Sequence, residues 1–196
     1  MSKVRKPAKP PIPLGAYTLA LAQARALATT ASMLSRTVGN SADAGKALAY
    51  LVIAGLSIEL YFKAFMIAGR GGNVFEEHDL MKLLIEFPPY LRRSFNDQYD
   101  KHPSAKTEDI QIFALKFSEH TPDKPKEETF AQSYSTFDQA IESIARIFID
   151  ARYFFEKLGA SDWATFSYPT HAISGVIEAL EKTFKLYDSG AFTNEA

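Results

Sequence analysis

The chain predicts an all-α fold, an antiparallel helical bundle, and three observations carry that prediction. Phe137, Ile141, Ile144, Phe148, Ala151 and Phe155 step by four, three, four, three and four positions, an apolar seam of helical period. A second stretch, centred on Ala47–Ile58, is apolar around most of its circumference, which marks a helix covered on several sides. No run alternates polar and apolar residues as a half-buried strand would.

The elements follow in order. Residues 1–13 combine Pro7, Pro10, Pro11 and Pro13 with Lys3, Arg5, Lys6 and Lys9, and such a segment buries almost nothing, so it reads as a flexible or polyproline-like tail. Residues 14–188 form one domain. Its first helix spans Leu14 to Arg36, with Tyr17, Leu21, Ala24, Ala28 and Ala31 on one face. Gly39 and Asn40 stop it, and Ser41 or Asp43 supplies the side-chain oxygen that starts the next. That second helix runs to about Ala68, followed by a turn at Gly69-Arg70-Gly71-Gly72. Leu80, Leu83, Leu84 and Phe87 mark a short third helix ended by Pro88 and Pro89, and residues 90–102 a fourth. Residues 103–133 are irregular, with Ile110–Phe117 expected to be helical. The seam from Phe137 makes a helix of about six turns that Gly159 ends. The last helix begins near Pro169 and Thr170, since proline is tolerated in a first turn, and carries Ile173, Ile177, Leu180, Phe184 and Tyr187. Residues 189–196 are a C-terminal tail, and Trp163 falls in a connector over the bundle end.

At 196 residues, 46% of them hydrophobic, with 15 Phe and 9 Tyr, the chain suits a single domain with an ample core. Of 22 basic residues, four lie in the N-terminal tail; the other 18 face 23 acidic residues, a net of −5. That balance argues against a broad nucleic-acid footprint, which needs clustered Lys and Arg. The absence of cysteine excludes disulfides, thiolate catalysis and Cys-ligated zinc, and fits a cytoplasmic protein. The basic N-terminus lacks the apolar core of a signal peptide. The apolar second helix meets Glu59 and Lys63 before it reaches the length of a bilayer span, so it reads as a core helix, with no membrane partner expected.

Among polar residues, Glu59 and Lys63 share a helix face four residues apart and sit in the most apolar part of the chain. They read as an internal ion pair or as the polar element of a pocket. Arg152, Tyr153 and Glu156 follow the apolar seam; Arg146–Asp150 and Arg152–Glu156 have salt-bridge spacing, and Arg152 is placed to reach Glu59 on a packed helix. His78 opens a helix beside Asp79, where local capping is expected. His102 and His120 precede prolines closely and read as loop residues. His171 stands in the first turn of the last helix, where backbone N–H groups favour a phosphate. No HExxH, paired-His or cysteine pattern predicts a metal, Gly69–Gly72 lacks the ending of a P-loop, and no motif calls for a cofactor.

Three pieces of this chain resemble the HEPN-domain family, the helical proteins of prokaryotic nucleotidyltransferase-associated and toxin systems and of several ribonucleases. Ser57-Ile58-Glu59-Leu60 with Lys63 and Ala64 is similar to the family's second helix. Gly72, then His78-Asp79-Leu80 and Leu83-Leu84, resembles its turn and helix restart. Arg152-Tyr153 resembles its Arg-Tyr element. Together they span roughly residues 42–187.

The resemblance implies a HEPN-like bundle that pairs with a second copy, in a toxin–antitoxin or defence context. It also implies a binding role around Glu59, Lys63, His78, Arg152 and Tyr153. Ribonucleases of the family share an Arg-x(4–6)-His motif and work without metal. Here Arg70 and His78 are separated by seven residues and Arg93 and His102 by eight, so the motif is missing. The leading expectation is therefore a non-catalytic module that binds a partner protein, RNA or a nucleotide as a homodimer. The alternatives are a divergent metal-independent endoribonuclease, with Arg152 and His171 as its catalytic candidates, and a structural or regulatory bundle unrelated to RNA.

Overall fold

The computed structural model describes residues 13, 15–38, 44–69, 77–102, 111–116, 134–152, 163–168 and 170–192. The fold class is all-α. Six helices appear among these residues: α1 (Ala16–Val38), α2 (Ala44–Gly69), α3 (Leu80–Ile85), α4 (Pro89–Asp100), α5 (Phe137–Arg152) and α6 (Thr170–Asp188). The expectations for residues 1–12, the Gly71–Gly72 turn, the loop 117–133, the end of the fifth helix at Gly159 and residues 193–196 lie outside the described residues.

α2 is the central element. By length and composition Gly45–Gly69 is apolar enough to cross a bilayer, yet most of its surface is spent on α1, α5 and α6. Small residues let its neighbours approach. Ala24 and Ala31 of α1 are buried, and the buried Ser57 hydroxyl donates to the Ala24 carbonyl at 2.9 Å, so the close α1–α2 contact satisfies a polar group that burial would otherwise penalise. Phe62 and Phe65 of α2 meet Phe87, Phe95 of α4 and Phe184 of α6 in a buried aromatic cluster. Helix directions follow from these contacts. Tyr61 meets Glu181 and Phe65 meets Phe184, so α2 and α6 run the same way. Ser94 meets Thr183 and His102 meets Glu178, so α4 and α6 run oppositely.

Local chemistry sets the ends. The Asp79 carboxylate accepts from the backbone N–H groups of Met81 and Lys82, capping α3, and Pro89 opens α4. Asn96 of α4 accepts from the backbone N–H of Phe137 at 3.2 Å, and Tyr99 donates to the Tyr134 carbonyl at 3.0 Å. Together they pin the start of α5. Its seam residues Phe137, Ile141, Ile144 and Phe148 are buried as their spacing predicts.

Gln111–Lys116, expected to be helical, is a strand, β1, and pairs antiparallel with β2, Trp163–Tyr168, in a two-stranded ribbon. Phe113 faces Phe166 in the register. Trp163 therefore belongs to a strand rather than a connector.

Candidate functional site

Two carboxylates one turn apart on α6, Glu178 and Glu181, are each claimed by helices distant in sequence. Arg25 of α1 donates to Glu181 through Nε at 2.9 Å and Nη2 at 2.8 Å, the two-pronged geometry that matches a guanidinium to a carboxylate. Tyr61 of α2 donates its hydroxyl to the same carboxylate at 2.9 Å. Lys185 stands 3.5 Å away on α6. Burial alone would raise the Glu181 pKa, but hydrogen bonds from Arg25 and Tyr61, with the charges of Arg25 and Lys185, hold the carboxyl below its usual range. Burial pushes the Tyr61 phenol up, and the Glu181 charge adds to that. The Arg25 guanidinium is stabilised further by its bond to Glu181.

Glu178 has its own set. Lys182 Nζ lies at 2.5 Å and His102 Nε2 at 2.9 Å. The Lys182 hydrogen bond leads in lowering the Glu178 pKa, with the His102 charge adding to it. His102 lies past the end of α4, outside the helix as expected, but is buried, with its ring against Glu178 of α6.

Beside this network lies a groove of about 580 Å³ between α1, α2 and α6, within the roughly 300–1,000 Å³ of small-molecule sites. Ala28, Met33, Ile173 and Ile177 give it aliphatic walls, and Tyr50 and Tyr61 reach it from α2. Arg25 and Arg36 border it on the α1 side, and Glu178 and Glu181 on the α6 side.

A second polar centre lies on α2. Glu59, 4% exposed, receives Lys63 Nζ at 2.7 Å and His78 Nδ1 at 2.8 Å on the same oxygen, Oε1. Its other oxygen, Oε2, is buried with no hydrogen-bond partner among the described residues, an arrangement that costs about 1–3 kcal/mol where it holds. His78 therefore does not cap α3, a task that Asp79 performs; its ring fastens the start of α3 to α2.

No family model matches this chain, and no curated protein or solved structure matches it either. Its chemistry rests on its own residues.

Of the residues singled out in the sequence, Glu59, Lys63 and His78 come together. Arg152 is the last described residue of α5; its side chain and all of Tyr153 lie outside the described residues, as do the expected Arg152–Glu59 contact and the pairs with Asp150 and Glu156. His171 occupies the first turn of α6 as expected. Among the described residues no cluster of three His, Asp or Glu side chains is placed to hold a metal. Arg25, Tyr61, Glu178 and Glu181 were not singled out, and His102 was read as a loop residue. One signal was present for Arg25: with no acid anywhere on α1, a partner for it had to come from another helix.

Proposed function

We propose that this chain is a non-catalytic, HEPN-like helical module that works as a homodimer and binds a nucleotide, free or within RNA, in the α1–α2–α6 groove. The groove is the observation that supports this reading. Its volume suits one nucleotide, aliphatic side chains form part of its wall, Arg25 and Arg36 border it on the α1 side with Arg25 bonded to Glu181, and Glu178 and Glu181 border it on the α6 side. The network around Glu181 ties three helices together, so the walls are held before a ligand arrives, which lowers the ordering cost of binding. A toxin–antitoxin or defence setting in the cytoplasm follows from the family resemblance.

The test is equilibrium binding of fluorescent nucleotides and short single-stranded RNA to the protein and to Ile177→Trp, which fills the groove. Binding weakened at least tenfold by Ile177→Trp, with the helical signal unchanged, supports the reading. No binding of either probe at millimolar concentration removes nucleic acid and leaves a partner protein as the ligand.

A metal-independent endoribonuclease is the second reading, and one observation favours it. The buried Glu59 carboxylate holds His78 by Nδ1, while the His78 side chain is 64% exposed, the orientation in which a carboxylate sets an imidazole tautomer and leaves Nε2 for proton transfer. Cleavage of a structured RNA pool in EDTA that His78→Ala or His171→Ala abolishes would establish it; intact RNA would remove it.

A further inference from the structure

The groove between α1, α2 and α6 is not uniform along its length. At one level Arg25, Tyr61 and Glu181 bond to one another. From there α1 and α6 run in opposite directions, since Tyr17 stacks on Phe184 while Arg25, later in α1, meets the earlier Glu181. Seven residues along each helix, about 10.5 Å from that network, Ser32 of α1 and Ser174 of α6 come level on facing walls. Both are exposed and both line the groove. Arg36, also exposed, follows Ser32 one helical turn later on the same wall. The Thr29 and Ser35 hydroxyls are turned back to carbonyls of α1. Those of Ser32 and Ser174 make no such bond among the described residues and keep their donors for a ligand.

Charge selects the ligand further. Each carboxylate at the groove is matched within the protein, Glu181 by Arg25 and Lys185, and Glu178 by Lys182. With Arg36, four basic side chains stand against two acidic ones, an excess of two positive charges. A phosphate monoester carries about −1.5 to −2, so the excess suits one such group, and a triphosphate would exceed it. Between the serines and the network, Ala28 and Ile177 line the groove, apolar surface for a base.

We infer that the ligand is a nucleoside monophosphate, held with its phosphate on Ser32, Arg36 and Ser174 and its base over Ala28 and Ile177 towards Tyr61. The inference rests on the nucleotide reading of the groove and narrows it to a free nucleotide with one terminal phosphate, since an internal phosphodiester of RNA carries a single charge.

Equilibrium dialysis of the full chain tests it, with the four common ribonucleosides, their 5′-monophosphates and triphosphates, and short RNA with hydroxyl ends as probes. At least one monophosphate is expected to bind about tenfold tighter than its nucleoside, the effect of a charge-assisted contact, and tighter than its triphosphate. Arg36→Gln brings that monophosphate down to the affinity of the nucleoside, whose own binding stays unchanged. Ser174→Ala gives a partial loss of the same kind, and Ile177→Trp abolishes all binding. A monophosphate preference that survives both Arg36→Gln and Ser174→Ala overturns the placement. Tighter binding of a triphosphate or of RNA overturns the ligand class. Either result, with binding still blocked by Ile177→Trp, leaves the groove as a nucleotide site. No binding of any probe at millimolar concentration, or binding indifferent to Ile177→Trp, removes the groove reading and this inference together.

Discussion

Arg25 and Glu181 stand 156 residues apart in sequence and meet through two hydrogen bonds of 2.8 and 2.9 Å, joining the first helix to the last. The three groups of this network are unequal, because the Arg25 side chain is 45% exposed whereas Tyr61 is buried. Arg25→Ala is expected to cost about 1 kcal/mol, near the upper value for exposed pairs. Glu181→Ala is expected to cost more, about 2–3 kcal/mol, since it also strands the Tyr61 hydroxyl without its acceptor. Tyr61→Phe falls below Glu181→Ala. Urea denaturation of the three variants checks the order, and Arg25→Ala costing more than Glu181→Ala would contradict it.

Glu178 and Glu181 both titrate below their ordinary value when folded. A carboxylate depressed in the native state adds stability that is fully present above its unfolded pKa and is lost as pH falls through the folded one. Stability should therefore be level from neutral pH to about pH 5 and decline below about pH 4.5, near the unfolded value. Glu178→Gln and Glu181→Gln should each flatten that decline while lowering stability at pH 7. Denaturation midpoints at pH 7, 5, 4 and 3.5 measure it; slopes equal to that of the unaltered chain would remove these two groups as the cause.

The Glu59–Lys63 pair lies deep enough that breaking it and replacing it differ in outcome. Lys63→Met leaves the Glu59 carboxylate buried with, among the described residues, the exposed His78 as its one donor, at a cost of about 3 kcal/mol. Glu59→Leu, alone, strands the Lys63 ammonium, whose side chain is less buried than that of Glu59 (16% against 6% exposed), and costs less. The double variant removes both charges and the buried Oε2 that has no partner among the described residues, so it is expected to lie within about 1 kcal/mol of the original chain. Chemical denaturation of the three variants gives the coupling directly, and a double variant as unstable as the sum of the singles would show that the pair is not coupled.

What the sequence disclosed follows the range of the interactions. The seam Phe137–Ile141–Ile144–Phe148 and the i,i+4 pair Glu59–Lys63 are local, and periodicity alone reveals them. The ribbon is not local. Gln111–Lys116 pairs with a segment some fifty residues later, and QIFALK alone suits a helix as well as a strand, so its partner decides. His78 looked like a capping residue because Asp79 adjoins it, while its ring bonds a carboxylate 19 residues back. Arg25 and Tyr61 carry no motif or spacing that sets them apart in the sequence. Their meeting on Glu181 depends on how α1, α2 and α6 pack, which no spacing within any one helix encodes.

Gly55 marks where that packing is tightest. A Cβ built there would lie 2.6 Å from Cγ of the Phe148 ring, too close for any real contact, and Phe148 is itself buried. α2 thus accepts a residue that disfavours helix by about 1 kcal/mol relative to alanine, so that α5 can seat its last described aromatic against the α2 backbone. Gly55→Ala gains helix propensity and still destabilises, by about 1–3 kcal/mol, because the ring or the helix has to shift. Phe148→Leu alone also destabilises, by removing buried surface. In combination the smaller side chain yields room for the new methyl, so the double variant is more stable than the sum of the two losses predicts. Thermal melts of the four proteins decide the matter; additive losses would mean that the Phe148 ring is not what keeps position 55 a glycine.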